Sequence, residues 1–229
     1  MNNDFRYEVK LVLNEREFTQ ALSWINGIGA KKPYPDRTVN SLYFDNIYQE
    51  SVKTNLAGIS NRNKTRLRWY GNDFLSDLKP TLEVKLREGR LGKKLAYQMP
   101  FSISSLRTRS LSYISQKIFD EILLTNNIHH GLQDYLVPML LVKYSRQYYQ
   151  DINGIRITID RKIQFFQTIQ SKSLSSLKPV DYSNYIVEIK FPQNLKDNVA
   201  NLLRPLQLTP KRHSKYLTGL SILGYTKYI

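Results

Sequence analysis

Residues 64–70 read Lys-Thr-Arg-Leu-Arg-Trp-Tyr, and within them Arg66 and Arg68 alternate with Leu67 and Trp69. Successive side chains of a β-strand point to opposite faces, so the two arginines share one face and the two apolar residues share the other. Other segments repeat this alternation, with charges at Arg6, Glu8 and Lys10, at Glu83, Lys85 and Arg87, at Arg156 and Asp160, and at Glu188 and Lys190. The pattern predicts a sheet with one apolar face and one charged face that binds a polyanion.

Length and composition fit one folded domain, or at most two small ones, and we expect a single domain over residues 1–229. The 229-residue chain is 41% hydrophobic, which is enough for a sizeable core. It has 34 Lys and Arg residues against 19 Asp and Glu residues, a formal net charge of +15. This excess favours an anionic partner such as a nucleotide, polyphosphate, nucleic acid or an acidic membrane surface.

The supply of cysteine and histidine restricts the chemistry. The chain has no cysteine, which excludes disulfides, thiolate nucleophiles and cysteine-bound zinc. Its three histidines are His129, His130 and His213, for which we expect structural or surface roles. A metal is therefore expected to be Mg²⁺ or Mn²⁺ bound by carboxylate and phosphate oxygens. The sequence shows neither a signal peptide nor an apolar run of about 18 residues, which favours a cytoplasmic location.

Periodicity predicts eight strands and five helices. The strands are expected at 5–13, 39–45, 65–70, 81–88, 95–102, 140–149, 156–160 and 186–191, the helices at about 15–26, 46–57, 109–126, 195–203 and 214–223, and a flexible loop at 171–184. Gly89 and Gly92, together with the basic residues Arg90, Lys93 and Lys94, suggest a mobile, positively charged hairpin. A flat sheet with a wet face and a barrel with a polar interior both fit. We favour an α+β fold whose antiparallel eight-stranded β-barrel is closed, has a charged lumen and is covered by helices, because closure removes sheet edges.

The charged positions suit a chain of phosphates. Residues two apart on a strand lie about 6.6 Å from each other, so Arg66 and Arg68 present two donor forks to successive anionic groups. Glu8, Glu83 and Glu188 each stand two residues before a lysine. Such a carboxylate either neutralises its neighbours or binds a divalent metal that bridges phosphate oxygens, and Glu188 is the favoured ligand. The sequence has no Gly-x-Ser-x-Gly or Gly-x-x-x-x-Gly-Lys motif, which leaves phosphate binding to side chains.

Eight motifs in order carry a family resemblance. They are Arg-Tyr-Glu-Val-Lys (6–10), Ser-Leu-Tyr-Phe-Asp (41–45), Lys-Thr-Arg-Leu-Arg-Trp-Tyr (64–70), Leu-Glu-Val-Lys (82–85), Lys-Tyr-Ser-Arg (143–146), Arg-Ile-Thr-Ile-Asp (156–160), Val-Glu-Ile-Lys-Phe (187–191) and Ser-Lys-Tyr (214–216). The chain thereby resembles the polyphosphate polymerase domain of the vacuolar transporter chaperone (VTC) proteins, a branch of the triphosphate tunnel metalloenzymes.

The resemblance implies a set of site residues. It implies phosphate binding by Lys10, Arg66, Arg68, Lys85, Arg146, Arg156 and Lys215, with help from Tyr144 and Ser214. Arg66, Arg68, Arg146 and Arg156 would be catalytic, and Glu188 would bind Mn²⁺ or Mg²⁺. Further candidates are Glu8, Glu83, Lys190 and either Lys93 or Lys94. The implied partners are ATP and inorganic polyphosphate, and a membrane-protein partner would be in keeping with the family.

One departure concerns the choice of activity. Hydrolases and cyclases of the wider superfamily begin with Glu-x-Glu-x-Lys, whereas this chain has Arg6, Glu8 and Lys10 in that order. Arg6 favours the polymerase branch and transfer of the ATP γ-phosphoryl group to a phosphate or polyphosphate chain. The alternatives are hydrolysis of triphosphate or tripolyphosphate, and non-catalytic binding of polyphosphate or an inositol phosphate. The 16 tyrosines could stack nucleic-acid bases, but most lie in strand patterns, so we do not expect nucleic-acid binding.

Overall fold

The protein has an α+β fold, as predicted, with one antiparallel sheet and several helices. The computed structural model describes residues 6–71, 77–88, 91–124, 135–169 and 171–228. Their strands are β1 (Arg6–Leu13), β2 (Arg37–Asp45), β3 (Arg62–Tyr70), β4 (Thr81–Glu88), β5 (Leu91–Gln98), β6 (Val137–Gln150), β7 (Arg156–Gln167), β8 (Pro179–Tyr182) and β9 (Tyr185–Pro192). Their α-helices are α1 (Glu15–Gly27), α2 (Glu50–Leu56), α3 (Ile103–Thr108), α4 (Leu111–Leu124), α5 (Lys196–Leu203) and α6 (Lys215–Ile222).

The strands pair in the order β1-β9-β7-β6-β2-β3-β4-β5, and β8 pairs with β7 outside this path. The path therefore contains eight strands, the number predicted, and β8 is an additional ninth. In the part of the chain that the structure describes, no backbone pairing joins β1 to β5. The expected closure is thus not made by a continuous ring of hydrogen bonds.

The residues form two compact units. The first contains the described residues of Met1–Thr38, Tyr144–Ile163 and Asp181–Ser214, and the second those of Val39–Lys143, Gln164–Val180 and Lys215–Ile229. Each has its own apolar core. In the first unit Leu11, Ile157 and Ile189 are buried among side chains of α1, and in the second Leu67 and Leu82 are buried against α3 and α4.

The alternation read from the sequence accounts for these cores. On β3, Leu67 and Trp69 are 0% and 2% exposed and lie in the apolar core, while Arg68 between them belongs to the other face. The same division separates Leu82 from Glu83 on β4. Strands β3 and β4 thus bury their apolar residues on one side and place their charges on the other, as a period of two requires.

The local sequence accounts for helices α1 and α4. At the start of α1, Asn14 Oδ1 accepts a hydrogen bond from the Glu17 amide at 3.0 Å and Glu17 Oε2 accepts one from the Asn14 amide at 2.9 Å, which is a capping box. In α4, Ile114 and Ile118 are buried at the helical spacing expected from the sequence.

Other elements differ from the prediction. Part of the expected loop at 171–184 is β8, which pairs with β7, and Leu174–Ser176 forms a turn of 3-10 helix. Helix α3 was missed because six residues are too few to show a helical period. Strand β5 begins at Leu91 rather than near 95. His129, His130 and the hairpin residues Gly89 and Arg90 lie outside the described residues.

Within those residues, no helix is both long enough and apolar enough to span a membrane.

Close packing around α6 gives a prediction. A Cβ atom added to Gly219 would lie 2.6 Å from Leu140 Cδ2 and 2.6 Å from Phe165 Cδ1. Overpacking of this kind costs about 1–3 kcal/mol, so Gly219→Ala should lower the free energy of unfolding in urea. Gly27→Ala is the matched control, because its added Cβ meets nothing within 4 Å and helix propensity favours alanine. Equal effects of the two substitutions would contradict the packing described for Gly219.

Candidate functional site

In the second unit, predicted site residues surround one buried carboxylate. We name Arg66, Arg68, Glu83 and Lys94 the arginine cluster. Arg66 lies directly opposite Glu83 in the pairing of β3 with β4, and its Nε and Nη2 atoms lie 2.7 and 2.6 Å from Glu83 Oε2. Arg68 Nη1 lies 3.5 Å from the same oxygen, and Lys94 Nζ lies 2.5 Å from Glu83 Oε1. One carboxylate thus contacts three cations.

The electrostatics of Glu83 keep it ionised. Its side chain is 8% exposed, and burial by itself raises the pKa of the carboxyl. The charges of Arg66 and Arg68, with hydrogen bonds from Lys94 and Arg66, outweigh burial and lower the pKa from 4.5 to about 2. Three cations face a single negative charge, so the cluster keeps an excess of positive charge.

The structure distinguishes Lys94 from Lys93, which the sequence left as alternatives. Strand pairing places Lys94 opposite Lys85 and Lys93 opposite Leu86. Neighbouring residues of a strand point to opposite faces, so Lys94 shares the charged face with Lys85 and Glu83, and Lys93 does not. Lys64 stands opposite Lys85 on the other side. Lys64, Lys85 and Lys94 therefore form a row of lysines across three strands.

In the first unit, Glu8, Lys10, Glu188 and Lys190 form a second group, which we name the glutamate–lysine cluster. Pairing of β1 with β9 places Glu8 opposite Lys190 and Lys10 opposite Glu188. Lys10 Nζ lies 2.7 Å from Glu8 Oε1 and 3.8 Å from Glu188 Oε2. Lys190 Nζ lies 2.6 Å from Glu188 Oε1 and 3.7 Å from Glu8 Oε2. Positive and negative side chains therefore alternate around a ring of four ion-pair contacts.

Glu188 is the more enclosed of the two carboxylates, at 13% exposed against 31% for Glu8. Burial raises the pKa of the Glu188 carboxyl, but the charges of Lys10 and Lys190 outweigh it and lower the pKa to about 2. Thr158 is the pairing partner of Glu188 on β7, and its buried Oγ1 atom has no hydrogen-bond partner. An ionised carboxylate and an unsatisfied hydroxyl thus occupy neighbouring positions on one face.

The carboxylates of Glu8 and Glu188 meet the requirements of a metal site that takes few ligands from the protein. No group of three or more histidine, aspartate or glutamate side chains suited to a metal ion occurs in the described ranges. Mg²⁺ commonly takes only one or two carboxylates from the protein and the rest of its oxygen ligands from phosphates and water. Glu188 and Glu8 fit a cation of that kind and do not fit an ion that needs a complete protein cage.

The first unit also holds Arg146 in a fixed orientation. Its Nε and Nη2 atoms donate to the two carboxylate oxygens of Asp160 at 2.6 and 2.8 Å. Asp160 is 1% exposed, and although burial lowers the pKa of Arg146, the aspartate raises it well above its ordinary value. The guanidinium lies over the Tyr144 ring, 5.3 Å from its centroid. Arg156 is exposed on β7, opposite Lys190.

The remaining predicted residues lie around the start of α6. Ser214 and Lys215 are both half-buried, and Lys215 is the first residue of the helix. The ring centroid of His213 lies 6.2 Å from that of Tyr182.

Sequence reasoning missed several residues that contact the predicted ones. Ser41 and Tyr43 are uncharged, and their hydroxyls accept hydrogen bonds from Arg68 and Arg66, respectively. Asp160 accepts hydrogen bonds from Arg146 and so orients it. Their alternation within strands was visible in the sequence. Their partners were not, because strand register determines which side chains stand opposite each other.

A sequence comparison with protein families identifies the relationship. The sequence profile of the VTC domain family matches residues 5–224, nearly the whole chain. The chain belongs to the VTC domain family. This confirms the resemblance drawn from the eight motifs. A comparison of this chain with curated protein sequences finds no significant match.

Solved structures share the fold of this VTC domain at low sequence identity. A proposed adenylyl cyclase from Hippeastrum, described as having a dominant triphosphatase activity, is 15% identical with a TM-score of 0.55, and 95% of this chain and 96% of that chain are covered. A proposed adenylate cyclase from Bacillus halodurans is 12% identical, with a TM-score of 0.55 and coverage of 95% and 98%. One from Vibrio parahaemolyticus is 13% identical, with a TM-score of 0.52 and the same coverage.

The low pKa of Glu83 predicts how stability depends on pH. A carboxyl whose pKa falls from 4.5 to about 2 on folding stabilises the protein above pH 4.5, and this contribution is lost as the pH falls through 2. The shift corresponds to about 3 kcal/mol. The difference in unfolding free energy between wild type and Glu83→Gln, measured in urea from pH 6 to pH 2, should therefore shrink as the pH falls. A difference that stays constant with pH would show that Glu83 is not stabilised by the arginines.

Proposed function

We propose that this VTC domain is a metal-dependent phosphotransferase that binds ATP and polyphosphate and transfers the γ-phosphoryl group of ATP to a phosphate or polyphosphate chain. The observation that carries the proposal is the arginine cluster. Two guanidiniums on successive positions of one charged face share a single buried counter-ion, Glu83, at 2.6 and 3.5 Å. Arginine forks match phosphate oxygens in pairs, and the excess positive charge favours a multiply charged anion.

In the proposed reaction a terminal oxygen of the acceptor phosphate forms a bond to the γ-phosphorus. The bond between that phosphorus and the β,γ-bridging oxygen breaks, and ADP leaves with the bonding electron pair. No covalent intermediate with the protein is needed, so side chains act by alignment and by stabilising negative charge. Arg66, Arg68, Arg146 and Arg156 would neutralise phosphate oxygens, assisted by Lys10, Lys85 and Lys215.

Glu188 would bind the metal, with Glu8 as the second carboxylate. A divalent ion there supplies Lewis acidity toward a phosphate oxygen. For the carboxylates to reach such an ion, Lys10 and Lys190 must turn from Glu188 toward substrate phosphates. Those lysines then exchange one anionic partner for another, which keeps their charges compensated.

Hydrolysis is the second candidate, because the structural neighbour from Hippeastrum is described as a triphosphatase. In that reaction water replaces the acceptor phosphate. Arg6 stands where hydrolases and cyclases of the superfamily have glutamate, which favours transfer. A third candidate is binding of polyphosphate or an inositol phosphate without turnover.

The proposal also covers location and partner. We place the VTC domain in the cytoplasm and include a membrane-protein partner in the proposal.

Incubation of the pure VTC domain with γ-labelled ATP, Mn²⁺ and a short polyphosphate primer separates the three candidates. Labelled chains longer than the primer, with ADP formed in equal amount, are expected. Release of labelled orthophosphate without chain growth would replace transfer by hydrolysis. Saturable polyphosphate binding without either product would leave only the binding function.

The proposal assigns phosphate binding to the arginine pair. Arg66→Ala combined with Arg68→Ala should weaken tripolyphosphate binding, measured by titration calorimetry, by on the order of 100-fold, because two charge-assisted contacts are lost. Arg107→Ala combined with Arg109→Ala is the matched control, since these arginines are also two apart but exposed at the end of α3. Equal losses in both pairs would indicate nonspecific attraction by the net charge.

Glu188→Gln keeps the side-chain shape and removes one charge. Turnover of ATP with Mn²⁺ should fall by on the order of 100-fold or more, because the metal loses its main protein ligand. Binding of tripolyphosphate without metal should persist, which separates loss of the metal from loss of the fold. Full activity of the variant would remove Glu188 from the metal site.

A further inference from the structure

The motif Ser-Leu-Tyr-Phe-Asp at 41–45 has no role in the function proposed above. Its first, third and fifth residues share one face of β2, and all three are buried, with exposures of 0% for Ser41, 7% for Tyr43 and 3% for Asp45. Buried polar side chains in a strand need hydrogen-bond partners, since an unsatisfied one costs about 1–3 kcal/mol. The hydrogen-bond partners of Ser41 and Tyr43 are the two arginines of the arginine cluster.

Ser41 contacts the second arginine of the cluster. Ser41 and Arg68 are direct partners in the pairing of β2 with β3. Arg68 donates to Ser41 Oγ from Nε at 3.3 Å and from Nη2 at 3.2 Å, while its Nη1 atom faces Glu83. The guanidinium is therefore held on two sides, by a hydroxyl on β2 and by a carboxylate on β4.

Tyr43 contacts the first arginine in the same way. Tyr43 and Arg66 are direct partners in the same pairing, and Arg66 Nη1 donates to Tyr43 Oη at 3.3 Å. The opposite edge of this guanidinium donates to Glu83. Each arginine thus lies between a hydroxyl from one neighbouring strand and the shared carboxylate from the other.

Tyr43 is itself held in place. Its ring stacks on that of Tyr216 in α6, with centroids 4.9 Å apart and an interplanar angle of 14°. Tyr216 Oη donates to Asp45 Oδ2 at 3.3 Å. Asp45 also accepts the backbone amides of Ser51 and Val52 at 2.9 and 3.0 Å, at the start of α2. The motif thereby connects the arginine cluster to two helices of its unit.

We infer that Ser41 and Tyr43 are positioning residues that fix the orientations of Arg68 and Arg66 for a phosphate chain, and that Asp45 supports Tyr43 through Tyr216. This inference rests on the proposed phosphate binding. An arginine side chain loses rotamer freedom when it binds, and that cost falls if the guanidinium is already oriented. Among the described residues, Ser41 accepts hydrogen bonds from Arg68 and Tyr43 accepts one from Arg66, so each hydroxyl should affect a different arginine.

The test is a set of crossed double-mutant cycles, with tripolyphosphate binding measured by calorimetry. Ser41→Ala and Tyr43→Phe should each weaken binding by about tenfold, the effect of one hydrogen bond to a charged group. The effect of Ser41→Ala should vanish when Arg68 is lysine and persist when Arg66 is lysine. Tyr43→Phe should show the reverse. Lysine keeps the charge, so binding remains measurable in these backgrounds.

Two further variants separate positioning from a general effect on the fold. Ser41→Thr retains the hydroxyl and should restore most of the affinity lost in Ser41→Ala. Tyr70→Phe removes a hydroxyl from an exposed tyrosine of β3 and should bind like wild type. Thermal unfolding identifies which variants are folded, and the serine variants carry the test if Tyr43→Phe is not.

The outcomes are distinct from those for the proposed function. If wild type binds tripolyphosphate and the arginine variants weaken binding while Ser41→Ala and Tyr43→Phe do not, the inference is wrong and the proposed function stands. Equal effects of Ser41→Ala in both lysine backgrounds would also overturn it. Absence of tripolyphosphate binding by wild type would overturn the proposed function together with the inference.

Discussion

The structure depends on placing a carboxylate among cations that share one face of a sheet. In each unit, alternation along the strands directs several long basic side chains to the same side, where unbalanced charges in a partly buried environment repel one another strongly. Glu83 balances Arg66, Arg68 and Lys94, and Glu188 lies between Lys10 and Lys190. Both carboxyls have a pKa of about 2, so their negative charges persist at neutral pH.

This arrangement stabilises the folded protein, because each carboxylate offsets the repulsion between its neighbouring cations. Each carboxylate has two oxygens, whereas the neighbouring guanidiniums and ammoniums offer more donors than these oxygens can accept. In the proposed function, a phosphate chain would bind on the charged face and share these cations with the carboxylates. Salt should weaken such binding only in part, since side chains that are half-buried are screened less than those at the surface.

Much of this organisation could be predicted from the sequence, and the limits have a physical reason. A period of two is local, so it assigned Arg66 and Leu67 to opposite faces of β3 correctly. Register is a long-range property, and it decided that Lys94 rather than Lys93 joins Glu83 and that Tyr43 stands opposite Arg66. Strand β8 escaped prediction because it has only four residues, too few to show a period, and lies at the end of a serine-rich segment. Tertiary pairing, not local propensity, makes it a strand.

In the proposed function, the arginines bind the phosphates and the carboxylate of Glu188 binds the metal. Arginines held by hydroxyls and carboxylates are suited to bind phosphate, and Glu188 is the residue through which a metal would act. The most direct measurement is a crystal structure of the VTC domain with tripolyphosphate and Mn²⁺, with the metal located by anomalous scattering. Our account predicts phosphate oxygens on Arg66 and Arg68 and manganese on Glu188. Tripolyphosphate bound away from both arginines, or manganese bound without Glu188, would contradict it.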